Sequence, residues 1–225
     1  MESSASGKRG YHHGDLRNAL ITAAADLAAK GGPASVTIRA AAREVGVTPT
    51  AAYRHFAGHE ELLTAAKDCA QHELVTTMQK EIAARSTSGD PVQRALAKFG
   101  ALGRGYLAFA HAQPGLFRTI FSPDAPALPA EHPSDGPFQL LVATLDELVE
   151  VGYLPKERRE LAELTAWSVV HGLATLLDGP LRDLPDDIRD AAIVSSMLTL
   201  GHGLRGTGLT HGQEALMAGE LSGRA

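Results

Sequence analysis

Arg39 and Arg43 lie four residues apart, and Thr48, Thr50, Tyr53, Arg54 and His55 follow within a short stretch. On a helix that carries Ile38 and Ala42 on its inner face, both arginines point outward. A guanidinium presented this way can pair with guanine in bidentate fashion, while Thr48, Thr50 and Tyr53 offer hydroxyls that can reach phosphate oxygens and methyls or a ring that can meet thymine. Arg43 reads equally as a phosphate contact or as a solvated surface arginine. The chemistry on offer is recognition of a polyanion rather than the making of bonds.

Other reactive residues do not assemble into a catalytic pattern. His12, His13 and Asp15 sit at the N-terminus, where capping and solvent exposure account for them. His171, His202 and Cys69 lack the spacing of zinc ligands, and no serine or cysteine nucleophile signature occurs. Gly100, Gly103 and Gly105 follow no strand and are not a phosphate loop. No catalytic residue, metal or cofactor is expected, and an enzyme is not.

The elements that must position these groups are helical. The chain has 225 residues, of which 5% are aromatic, and alanine and leucine outnumber the β-branched residues that alternate in strands. One cysteine excludes an internal disulfide, and no secretory leader pattern opens the chain, so a reducing cytoplasm is expected. No apolar run is long enough for a membrane span. The net charge of −5 is uneven: seven Lys/Arg and four acids give residues 1–58 a charge of +3, leaving −8 on the rest. A basic head on an acidic body follows.

Helices are predicted at Asp15–Lys30, from Thr37 to Gly46, and from Thr48 to about Phe56, with Pro49 in the first helical position. Further ones are predicted at Glu60–Ala84, Val92–Ala112, Pro114–Phe121, Phe138–Val151, Lys156–Leu177 and Asp187–Leu204. Ser122 to Pro137 holds five prolines and reads as a surface loop. The expected organisation is a flexible basic arm (1–13), a three-helix domain (14–60), a longer helical domain (61–205) and a flexible tail (206–225). Lys8 and Arg9 in the arm reach a minor groove or merely solubilise the chain.

Ile38 to Phe56 meets the physical needs of a helix-turn-helix. Ala42 allows close approach, Gly46 a tight turn, and Val45, Val47 and Ala52 fix the crossing angle. An ordinary helical hairpin satisfies the same spacing. The wider series Ser35-Val36-Thr37-Ile38-Arg39, Glu44-Val45-Gly46-Val47-Thr48, Ala52-Tyr53-Arg54-His55-Phe56 and Glu60-Glu61-Leu62-Leu63 resembles the N-terminal domain of the TetR family. That resemblance implies that Thr48, Pro49, Thr50, Ala51, Tyr53, Arg54 and His55 face DNA, that Arg39 contacts a base or phosphate, and that Thr37 contacts a phosphate from its cap. His59 stands where many members carry a phosphate-contacting lysine. A neutral imidazole donates a hydrogen bond without the full charge, which would make that contact pH-dependent.

The later chain resembles a subgroup of that family marked by a Trp, His, Gly signature, here Trp167, His171 and Gly172, with a second match at Gln113 to Phe121. From the residues themselves, Leu161–Leu177 carries one formal charge, Glu163, and Ala191–Leu204 carries none. Helices so apolar all round must cover a second surface, either the monomer core or a second copy in a homodimer. Gly100, Gly103 and Gly105 each cost a helix about 1 kcal/mol relative to alanine, so a close approach or a ligand must compensate. Tyr106, Phe109, Phe117, Phe121, Trp167 and His171 are the candidate contacts of an apolar or amphipathic small-molecule effector. The expectation is an all-α, dimeric regulator of a palindromic double-stranded DNA operator, released by that effector. Repression comes from the resemblance, with activation, a helical ligand-binding protein or an enzyme as alternatives.

Overall fold

Residues 13–85, 89–122, 136–206 and 213 are described by the computed structural model. Among them the regular structure is entirely helical: α1 (His13–Gly31), α2 (Ile38–Val45), α3 (Pro49–Ala52), α4 (His59–Ala83), α5 (Pro91–Ala112), α6 (Pro114–Ile120), α7 (Pro137–Glu150), α8 (Ala162–Asp178) and α9 (Asp186–Arg205). Short 3₁₀ helices occupy Pro33–Ser35 and Lys156–Arg158. The expected arm, its Lys8 and Arg9, the proline-rich loop and most of the tail lie outside the described residues.

Two compact units emerge. Of the described residues, one holds 13–73 and 112–122; the other holds 74–85, 89–111, 136–206 and 213. The first unit includes α6 and the opening turns of α4.

In the first unit α1 packs on both α2 and α6. Gly31-Gly32-Pro33 stops α1: the Gly32 amide still bonds the Ala28 carbonyl at 2.7 Å, but Gly32 then turns to φ 72°. The Ser35 hydroxyl closes this turn on the carbonyls of Leu27 and Gly32, each at 2.6 Å. Leu20, Ala24, Ala28, Val36, Ala41 and Leu116 are buried in this unit. A Cβ at Gly115 would collide with the carbonyl oxygens of Ala28 and Ala29, so α6 touches the end of α1 backbone to backbone.

The core of the second unit gathers Ala95 and Phe99 of α5, Leu145 and Leu148 of α7, Ala162 and Ala166 of α8, and Leu200 and Leu204 of α9. Each fully buried leucine of this kind contributes about 1.5 to 3 kcal/mol. The predicted helix Lys156–Leu177 is interrupted here. After the 3₁₀ turn, Leu161 adopts φ 59° with its side chain 57% exposed, and α8 begins at Ala162. Across the break Arg159 bonds Asp146 at 2.7 Å and Glu163 at 2.5 Å, which ties the connection to α7 as well as α8.

Two of the three α5 glycines have a packing reason. A Cβ at Gly105 would stand 2.6 Å from the Met78 Cα, so α4 and α5 cross with their backbones in contact. One at Gly103 would meet the Met197 sulfur at 2.7 Å. At Gly100 the nearest atom, Nη2 of Arg104, is 3.9 Å away.

Candidate functional site

The helix-turn-helix is built from two capped starts and one left-handed residue. Thr37 Oγ1 accepts from the Ala40 amide at 3.1 Å, and Thr48 Oγ1 from the Ala51 amide at 3.2 Å. Between them Gly46 sits at φ 76°, while the Val47 amide reaches back to the Ala42 carbonyl at 2.9 Å, a Schellman closure. Nothing lies within 4 Å of a Cβ at Gly46, so the backbone conformation, not space, calls for glycine.

The third helix is shorter than predicted. Its α-helical part ends at Ala52, and the His55 amide bonds the Ala52 carbonyl at 2.9 Å in a tightened 3₁₀-like turn. That turn delivers Phe56 to the interior, where it is 1% exposed, beside the buried Ile38, Ala42 and Ala52.

Opposite this apolar face, Thr37, Arg39, Arg43, Thr48, Pro49, Thr50, Tyr53, Arg54 and His59 are exposed, with Ala51 and His55 half-buried. Tyr53 keeps 52% of its surface open, unusual for an aromatic beside a core. A threonine hydroxyl that accepts from a backbone amide retains its own proton for donation. Thr37 and Thr48 can therefore cap and contact a phosphate at once.

One participant escaped the sequence reading. The Arg17 guanidinium stands 4.8 Å over the Phe56 ring and 3.4 Å from Glu61 Oε1, and Glu61 Oε2 accepts from the Ala57 amide at 2.8 Å. The cluster joins α1, the end of the helix-turn-helix and the start of α4. Both charged groups are 45% exposed, so the ion pair itself contributes about 0 to 1 kcal/mol, and its main effect is positional. No local signal links residues 44 apart in the chain.

In the second unit, Tyr106, Trp167 and His171 come together. Trp167 Nε1 donates to the Tyr106 hydroxyl at 3.3 Å, and that hydroxyl is bonded to His171 Nδ1 at 2.9 Å. Phe138, which the sequence did not single out, stacks edge-on against Trp167 with centroids 5.6 Å apart. Burial pushes the Tyr106 phenol well above its usual range, against a smaller opposing effect of the Trp167 bond, and pushes the His171 imidazole down. Both are held neutral at pH 7. Phe109 is buried in the same unit.

Phe117 and Phe121, in the first unit, pack on each other with ring centroids 5.0 Å apart. They sit on the helix that restarts at Pro114: Gln113 leaves helical geometry at φ −130°, ψ 56°, and Gly115 docks α6 on α1.

Among the described residues no group of three or more His, Cys, Asp or Glu is placed to hold a metal, and no helix is long and apolar enough to cross a membrane.

Residues 20–66 match the family model described as bacterial regulatory proteins, tetR family, and residues 99–200 match the tetracyclin repressor-like C-terminal domain. No curated protein sequence matches the chain. Among solved structures, a protein with unknown function from Rhodococcus sp. RHA1 superposes with a TM-score of 0.71 at 26% identity, covering 88% of this chain and 100% of that one. A putative TetR family transcription regulator from Shewanella sp. PV-4 gives 0.58 at 18% identity over 84% of this chain and 97% of its own. A TetR variant from Acinetobacter baumannii AYE in complex with minocycline gives 0.55 at 20% identity over 86% and 96%. With both family models matched in order and a capped, outward-facing helix-turn-helix at its head, the chain belongs to the TetR family of DNA-binding transcriptional regulators.

Proposed function

We propose that this regulator is a cytoplasmic repressor that binds a palindromic operator as a homodimer, is released by a small apolar or amphipathic effector, and catalyses no reaction. The observation that carries the reading is the exposed row from Thr48 to Arg54, with Arg39 beside it, on a scaffold whose inner face is closed by Ile38, Ala42, Ala52 and Phe56.

The dimer is supported by α8 and α9. Leu164 and Leu176 on α8, and Ile188, Val194 and Leu198 on α9, each leave 45% or more of their surface exposed. Gly172 and Gly203 have nothing within 4 Å of a Cβ, so intramolecular packing does not explain them. A second copy seated on these helices would cover the leucines and use the small cross-section for close approach. A groove of about 670 Å³ between α8 and α9, lined by Thr165, Val169, Ser195, Thr199 and Gly203, would take the partner's side chains.

For the effector, the Tyr106, Trp167 and His171 set offers a hydrogen-bonded polar centre within apolar surroundings, the pattern that orients a small ligand. The minocycline complex of the Acinetobacter protein supports small-molecule control in a relative of this fold.

The deciding experiment is selection of bound sequences from genomic DNA followed by mobility shift. The expected result is an inverted repeat, with Arg39→Ala and Tyr53→Ala each weakening it by about 1 to 3 kcal/mol. Undiminished operator binding by the double variant would refute the assignment.

A further inference from the structure

α9 stands as a ridge with a groove on each flank, one of about 670 Å³ against α8 and one of about 840 Å³ against α5. The two grooves divide the surface of α9 by chemistry. Ser195, Thr199 and Gly203 line the α8 side, whereas Val194 and Leu198, which leave 52% and 58% of their surface exposed, line the α5 side. A partner seated only between α8 and α9 would leave both apolar side chains in water. Given the homodimer proposed above, we infer that the second copy reaches across α9 onto α5, so that three helices of each chain form the interface, and that Arg104 of each copy pairs with the partner's Asp190.

The α5 side has the layout of a protein interface. Leu96, Phe99 and Leu107 of α5 meet Ile193 and Met197 of α9 along it, while Arg104 and Asp190 line it and remain exposed. Specific interfaces bury about 800 Å² on each partner, with an apolar centre and charges toward the rim. Carrying the contact from α9 onto α5 widens the apolar face and covers Val194 and Leu198 in one step.

Charge complementarity identifies the occupant as another copy of this chain. Among the described residues neither Arg104 nor Asp190 makes an ion pair or a side-chain hydrogen bond, and they do not pair with each other. Arg189 is already held by Asp186 at 2.8 Å and by the Leu184 carbonyl at 3.2 Å. Besides His111 and His202, the lining therefore carries one unpaired cation and one unpaired anion. In a two-fold interface a contact from one residue to another is matched by its reciprocal. A patch that bears both signs thus complements itself twice per dimer, whereas a singly charged ligand would satisfy only one of the two. Pairs of this kind set register and partner choice more than raw affinity.

Charge reversal in trans tests the pairing. Sedimentation over a concentration series should show Arg104→Glu and Asp190→Lys each weakening the dimer by about tenfold or more, because each homodimer then sets like charges opposite one another twice. Mixed in equal amounts, the two variants should form a heterodimer in native mass spectrometry, with an affinity within about threefold of the parent, since the reversed charges then face each other and the original pair is kept. Circular dichroism melts check that both variants fold. Parental dimer affinity in both single variants would overturn the extension to α5; if Leu164→Glu on α8 is monomeric under the same conditions, the interface is confined to α8 and α9. Weakened single variants that do not recover on mixing would equally overturn it, giving both side chains a role within one chain. A parent that stays monomeric throughout would refute the dimer itself, a failure distinct from the other two.

Discussion

The Tyr106 hydroxyl is shared between two partners 61 and 65 residues away: it accepts from Trp167 Nε1 and lies 2.9 Å from His171 Nδ1. Burial holds both titrating members neutral, so the arrangement depends on hydrogen bonds rather than on charge. Tyr106→Phe keeps the ring and removes both bonds. Unfolding in denaturant should show a loss of about 1 kcal/mol, and the emission of Trp167, the sole tryptophan, should shift.

The same burial gives stability a pH dependence with a defined sign. The folded His171 imidazole has its pKa below the ordinary value of about 6.5, so the unfolded chain takes up the proton first as pH falls. Its contribution is intact above that value and is lost as the pH drops below it. Thermal midpoints measured between about pH 7.5 and 5 should fall less steeply in His171→Gln than in the parent. Identical slopes would show that the imidazole titrates alike in both states.

The glycines of α5 should separate sharply on substitution. Gly100→Ala meets open space and should stabilise by about 0.4 to 1 kcal/mol. Gly105→Ala drives a methyl into the Met78 backbone and should destabilise by about 1 to 3 kcal/mol. Chemical denaturation of the two variants, run side by side, checks the order.

Arg17 and Arg54 should affect DNA binding in different ways. Arg17 positions Phe56 and Glu61, so Arg17→Ala should lower operator affinity with the salt dependence unchanged. Arg54 is exposed on the reading surface, and as a phosphate contact its loss should reduce the slope of log K against log salt by about 0.9. Titrations at several salt concentrations distinguish a positioning residue from a contact.

For the dimer, Val194→Glu places a carboxylate on a face that is 52% open in the single chain. If a second copy covers it, the unpaired buried charge should cost about 3 to 5 kcal/mol and yield monomers in sedimentation. Intact dimers would move the interface elsewhere.

By itself the sequence determined whatever depends on neighbours within a helical turn or two. The caps at Thr37 and Thr48, the left-handed Gly46, Pro49 at a helix start and the outward Arg39 were legible, because capping, φ preference and the i, i+3, i+4 pattern act over a few residues. Only the tertiary structure decided what depends on which distant surfaces meet. The placing of Arg17 over Phe56 and the entry of Phe138 beside Trp167 leave no periodic trace in the chain. The break at Leu161 was not legible either: neither glycine nor proline marks it, and the Arg159 bridge from Asp146 to Glu163 joins residues of different helices. Each α5 glycine looks alike in the sequence, and only the approach of Met78 and Met197 separates Gly105 and Gly103 from the unfilled Gly100.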